Sequence, residues 1–290
     1  MDPIMEQIDL AKIYLPIMDE VYQNECQTSI LEGDEATVKK SGFGEIMIAK
    51  LDMDGLGDFT RNSGYTKGST SFTWETIKYD KERSQELRVD RLNQGETLDL
   101  AFGKLSSEFI RTKVIPEIDA ARIAKLYGTS GISTKEETLT TGEDVVKALR
   151  SASDKMDQDE VPLENRILFI NSTLLSAIDD LDTTKSKRVL DKFSVIKPMP
   201  ARRMYTSIIL HDGKTKYGYS RGTDAKDGNF VIVEKSAFVC DMSQFLKYFN
   251  PDEDQVADDH VFKYRNNNLY GHAFENKVAG IYGSYAPANG

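Results

Sequence analysis

Residues 45–79 limit this chain more than any other stretch. Two strand-like runs, EIMIAKL (45–51) and TSFTWETIKY (70–79), flank a loop that is glycine- and serine-rich, with Gly57, Gly64, Gly68 and Ser69. Successive side chains of a strand point to opposite faces. Ile46 and Ile48 therefore share one face of the first run, and Met47, Ala49 and Leu51 share the other. In the second run Phe72 and Trp74, the only tryptophan, share a face, whereas Ile77 and Tyr79 share the opposite one. A strand whose apolar face switches midway has a bulge, a sharp twist, or cover on both sides. At about 3.3 Å per residue the ribbon is roughly 25–30 Å long. A two-stranded hairpin is marginal alone in water, and burying Phe72 or Trp74 contributes about 2–3 kcal/mol each. The ribbon must lie on its own body or on another copy of the chain. The residues alone leave both routes open.

Beyond the ribbon the period changes. SQELRVD (84–90) is one more extended piece, and from Thr97 the residues Leu98, Phe102, Leu105 and Phe109 recur at helical spacing. The apolar stripe continues through Ile110, Val114, Ile118, Ala121, Ile123 and Leu126 to Gly128, a helix stop signal. Such a helix is a beam of about 45 Å, and Pro116 predicts a kink or break near Ile115. Thr140 and Glu143 read as a capping box for a second helix over 140–157. RILFI (166–170) reads as a buried strand followed by a short helix, with Leu174, Leu175 and Ile178 inward. Strands at 193–197, 205–211, 215–220 and 229–234 are divided by Asp212-Gly213 and Asp227-Gly228, and 261–283 carries further strand pattern. Residues 1–35 read as an arm with a short helix. This mixture predicts an α+β protein.

Chemical motifs are weak by comparison. Gly213-Lys214-Thr215 lacks the earlier glycine of a phosphate loop, which would stand at Ile208, and lies between two strands. Asp52, Asp54 and Asp58 suggest a calcium loop, but the fifth and twelfth positions from Asp52 are Leu56 and Ser63. The acidic run DEDQVADD (252–259) reads as a solvated loop. His211, His260 and His272 sit in no metal or triad pattern, and Cys26 and Cys240 read as buried reduced thiols. No catalytic, cofactor or metal residue is therefore assigned. The net charge of −10 argues against gripping nucleic acid, though not against enclosing it. Lys187-Arg188 and Arg202-Arg203 read as salt-bridge partners, for acids of this chain or of a neighbouring copy. The sequence shows no secretion signal and no membrane-span run, which predicts a chain made in a cytosol.

The phrases GDFTRNSGYTKGSTSFTWETIKYDKERSQELRVD, VIPEIDAARIAKLY and YRNNNLYGHAFENKVAGIYG resemble the major capsid protein of tailed bacteriophages with the HK97-type fold. The resemblance covers almost the whole chain and is most specific at residues 57–126 and 258–283. It implies an N-terminal arm (1–35), an extended loop reaching over a neighbouring subunit (36–95), a spine helix and peripheral domain (96–139), an axial domain (140–255) and a return to the peripheral sheet (256–290). It implies a non-enzymatic shell protein forming pentamers and hexamers around double-stranded DNA, assembled in the host bacterial cytoplasm and residing in the virion. The short arm implies a separate scaffolding protein or an already matured chain, with a portal and, in some relatives, a decoration protein as further partners. The contact residues expected on the loop are Arg61, Tyr65, Lys67, Phe72 and Trp74. An encapsulin-like compartment keeps the same fold and is the nearest alternative; a small-molecule enzyme on an α+β body is the alternative from another class.

Overall fold

The computed structural model describes residue 18 and residues 20–22, 25–33, 38–41, 45–59, 61, 65–90, 106–181, 183–249 and 259–288. The expected helix start at Thr97 and the stripe positions Leu98, Phe102 and Leu105, most of DEDQVADD and most of the arm lie outside these residues. The chain begins with a small sheet of β1 (Val38–Ser41), β2 (Glu45–Met53) and β3 (Thr70–Lys78), ordered β1-β2-β3. Strand β4 (Lys81–Asp90) follows after Tyr79 and Asp80, and helix α1 (Ile115–Tyr127) lies beyond it. Next come β5 (Ser133–Glu136), α2 (Gly142–Gln158), β6 (Arg166–Asn171), α3 (Ser172–Asp179), α4 (Thr184–Leu190) and β7 (Val195–Met199). The last strands are β8 (Ile208–Leu210), β9 (Tyr219–Arg221), β10 (Gly228–Glu234), β11 (Phe238–Phe249), β12 (Asp259–Ala273) and β13 (Ile281–Tyr285).

A five-stranded sheet, β5-β13-β10-β6-β7, forms the centre of the body. RILFI lies in it, flanked by β10 and β7, and is buried throughout. On one side α2 and α3 seal it with Val145, Leu149, Ala152 and Ile178 against Leu168, Ile170, Phe230 and Ile232. The other face, Ile167, Phe169, Val231 and Val233, packs on the end of α1 at Ile123, Leu126 and Tyr127. A second sheet, β11-β12-β4, covers the earlier part of the same helix. The expected axial and peripheral segments thus exchange strands. Strand β11 pairs with β12, and β13 joins β10.

Pro116 does not end the helix. Residues Ser106–Phe109 are α-helical, Ile110–Val114 form a π-helical turn, and α1 continues directly. The Ile115 N–H reaches back to the Ile110 carbonyl, so the strain is absorbed as one widened turn. A proline near the start of a helical segment is tolerated because its missing N–H is one that segment leaves free. The predicted break is therefore a change of hydrogen-bond register without a break in the chain's course. The capping pair of α2 also differs from expectation. Thr141, not Thr140, is the N-cap, and it accepts from the Asp144 N–H.

The junction between these layers is ionic. Asp119 of α1 is fully buried and accepts from Thr28 Oγ1 (2.7 Å), the Thr28 N–H (3.1 Å) and Arg203 (2.9 Å). One turn on, Arg122 donates to the Thr28 carbonyl and to Glu32 at 2.9 Å. Tyr22 also donates to Glu32. The helix is thereby pinned to residues 22–32 and to the segment before β8. Breaking a buried charge pair from one side strands its partner. Asp119→Ala is expected to lower the stability of the isolated chain by about 3–5 kcal/mol, seen as a lower midpoint in urea. A second site tests packing alone. A Cβ on Gly271 would meet the Phe238 ring at 1.9 Å, so Gly271→Ala is expected to cost about 1–3 kcal/mol by the same measurement.

Candidate assembly surface

The ribbon made by β2 and β3 runs in unbroken register from Glu45↔Lys78 to Met53↔Thr70. Of the three explanations for its switching apolar face, a bulge is absent from this ladder. Residues directly opposite share a face, so Ile46 lies with Ile77 on one side, and Ala49 with Trp74 and Leu51 with Phe72 on the other. The first face closes on the body. Ile46 and Ile48 are buried with Val239 and Leu269, and Ile77, Tyr79 and Phe274 surround them. Tyr79 donates to Asp241 at 2.6 Å, and burial together with that hydrogen bond pushes its phenol up to about 12. At Asp80 the backbone N–H donates to the Asn268 carbonyl (2.8 Å), and the carboxylate accepts from the Tyr270 N–H (2.9 Å) and from Lys125 (3.0 Å). The base of the ribbon is thus fixed by packing and by hydrogen bonds at its last two residues.

The second face has no such cover. Leu51, Met53, Phe72 and Trp74 are 51%, 63%, 59% and 36% exposed. Phe72 and Trp74 meet edge to face at 5.5 Å, and the Lys39 ammonium sits 4.2 Å above the Trp74 ring. At the tip Leu56, Phe59 and Tyr65 are exposed too, with the last two rings 5.2 Å apart. The tip is closed by hydrogen bonds from Asp54 N–H to the Ser69 carbonyl (3.1 Å) and from Ser69 N–H to Asp54 Oδ2 (2.7 Å). Apolar residues gathered this way on one face mark an interaction surface.

All five expected contact residues, Arg61, Tyr65, Lys67, Phe72 and Trp74, lie on this exposed part of the chain. Arg61 and Lys67 make no ion pair among the described residues. The aspartates once suggestive of calcium are used otherwise: Asp54 holds the loop by its carboxylate. Among the described residues no group of three His, Cys, Asp or Glu side chains could hold a metal. Gly213 supplies the positive φ of +78° in the turn between β8 and β9, so Gly213-Lys214-Thr215 is a hairpin connection. Cys26 and Cys240 are buried and form no disulfide, and burial pushes both thiols up to about 12, which keeps them protonated. Arg203 finds its acid within its own chain, at Asp119. The buried Asp119 and Arg122 were missed in the sequence. Their signal was two opposite charges three residues apart inside an apolar helical stripe.

The two faces of the ribbon make a paired prediction. Ile48→Ala removes a buried side chain and is expected to cost the isolated chain about 2–5 kcal/mol. Phe72→Ala on the exposed face is expected to change it by no more than about 0.5 kcal/mol. Denaturant titrations of the two variants, compared with the parent, read the difference.

No protein-family model matches the sequence, and no curated protein matches it. Solved structures do. The capsid of the cyanophage P-SCSP1u superposes with a TM-score of 0.58 at 13% identity, over 87% of this chain and 86% of that one. The mature capsid of bacteriophage PhiM1 superposes at 0.55 and 9% identity, over 89% and 91%. A virus-like particle from Pyrococcus furiosus superposes at 0.51 and 11% identity, over 81% and 86%. Coverage of nearly the whole of both chains means that the order of elements is shared, not one sheet or one helix pair. The chain has the α+β fold of phage capsid proteins, the HK97-type architecture that its sequence resembles.

Proposed function

We propose that this chain is the structural head protein of a tailed phage, whose copies form pentamers and hexamers and close into a shell around double-stranded DNA. The observation that carries this reading is the uncovered apolar face of the ribbon, Leu51, Met53, Phe72 and Trp74, on a chain with a capsid fold. A face of that kind is covered when a sister copy lies on it. Each such contact is modest, but a closed shell engages many at once, and simultaneous contacts multiply affinity without new chemistry. The net charge of −10 suits a wall that holds DNA without gripping it. The thiols are held protonated, which supports a structural role over a catalytic one. Among the described residues no helix is long and apolar enough to cross a membrane. A scaffolding protein, a portal and assembly in the host cytoplasm belong to the same reading, as does the virion as the final location.

An encapsulin-like compartment is the second reading, favoured by the superposition on the archaeal virus-like particle. Particle contents separate the two, since a phage head protects DNA from nuclease and a cargo compartment protects protein. The test of the main reading is deletion of residues 54–69. The deleted chain is expected to keep its far-ultraviolet circular dichroism and urea midpoint but to give no shells by negative-stain microscopy. Normal particles from that variant would refute the ribbon's role. Trp74 offers an independent signal. Its emission is expected to shift to shorter wavelength when the parent chain assembles, because the half-exposed indole loses water.

A further inference from the structure

The walls of one large cleft are open strand edges. A cavity of about 1120 Å³ lies among β4, the helix around Pro116 and the segment containing β8 and β9. In the sheet order β11-β12-β4 and in the pair β8-β9, the outer edges of β4 and β9 carry no strand among the described residues. Consecutive residues of both strands line the cleft, Glu82 to Gln85 of β4 and Tyr219 to Arg221 of β9. Adjacent residues of a strand point to opposite faces, so a run of neighbours facing one space means that the edge faces it. The backbone groups of an open edge are a template for another strand. Arg83 spans one end of the gap, donating to the carbonyls of His211 and Gly218 and to Glu117 at 2.7 Å. It is a side chain placed where main-chain partners are lacking.

The charge of the cleft is opposite to that of the molecule. Arg83, Arg203 and Arg221 are neutralised by Glu117, Asp119 and Asp227, and Glu82 by Arg265. Lys113, Arg202 and Asp212 remain, all exposed and with no ion pair among the described residues, which leaves one cation in excess. Tyr217, 72% exposed, and Phe109 add aromatic surface beside them. A cleft with one cation in excess and two strand edges, on a chain of net charge −10, fits an extended acidic segment. The two open strand edges favour a peptide over a phosphate backbone, which has no amide groups to pair with them.

We propose that the cleft between β4 and β9 receives an extended acidic segment of a second copy of this chain, which adds as a strand to one or both edges. The acidity of the chain itself supplies the complement. This inference rests on the self-assembling reading above and names a second contact for it, distinct from the ribbon.

The test is the double variant Lys113→Glu/Arg202→Glu, whose two side chains have no ion pair to lose. The urea midpoint of the variant is expected to match the parent. Its critical concentration for assembly, followed by light scattering, is expected to rise at least tenfold, and the salt dependence of assembly to weaken. Hydrogen exchange of the assembled parent is expected to slow at residues 82–87 and 219–221 relative to the unassembled chain. If the parent assembles and the variant assembles equally, with those amides unprotected, the cleft inference fails and the shell reading stands. If the parent never assembles, both fail. If a double-stranded oligonucleotide protects the same amides while assembly leaves them unchanged, the cleft is a nucleic-acid site and the inference is overturned.

Discussion

A strand shows its side chains to two sides, and the body covers only one side of the ribbon. That constraint governs the first third of this chain. Because β2 and β3 stay in register over all nine pairs, with no bulge to rotate them, Ile46, Ile48 and Ile77 go inward only if Leu51, Phe72 and Trp74 go outward. The base of the ribbon is anchored by one set of apolar residues and its length is left wet by the other. Neither set can be exchanged for the other without a one-residue slip that would expose the isoleucines. The buried base of the ribbon and its exposed apolar face thus come from the same alternation.

The alternation was legible in the sequence, and so were the elements whose signals are local. RILFI as a buried strand, the short helix that follows it and the Asp212-Gly213 turn all rest on neighbours a few residues apart. The uninterrupted helical path through Pro116 was not legible. Whether a proline kinks, ends or merely widens a helix depends on what packs around it, here Ile110, Val114 and Ile115 against Met242, Tyr248 and Phe262. Strand β11 was also hidden. FVCDMSQFLKYF buries one end almost wholly and alternates only at the other, so no single period runs along it. The division of strands between the two sheets is set by pairings across dozens of residues, which no local pattern records.

The site was legible in part for the same reason. The ribbon's period puts Phe72 and Trp74 on one face and Ile77 and Tyr79 on the other, but which face turns to the body is set by packing that no local pattern records. The Asp119–Arg122–Arg203 junction could not be read either, since a charge in an apolar stripe gives no clue to its partner's position 84 residues away. Yet that junction bears on assembly. It ties α1 to residues 22–32 and to the segment leading into β8, the same segment that forms one wall of the cleft. Buried pairs of this kind stabilise little relative to an apolar core, and their use lies in fixing one arrangement among several.

Geometric fixity is what a closed shell demands of its protomer. A contact repeated around a ring multiplies any error in the angle between its two faces, and a head-to-tail contact that misses closure grows into an open filament. The ribbon's base is held at Tyr79 and Asp80 by hydrogen bonds to Asp241, Asn268, Tyr270 and Lys125, which belong to β11, β12 and α1. The cleft wall is held through Arg203 and Arg83 to Asp119 and Glu117 of that helix. Helix α1 therefore carries the angular relation between the ribbon and the proposed receiving cleft. Its buried charges, costly for stability, are placed where a rotation of either surface would break them.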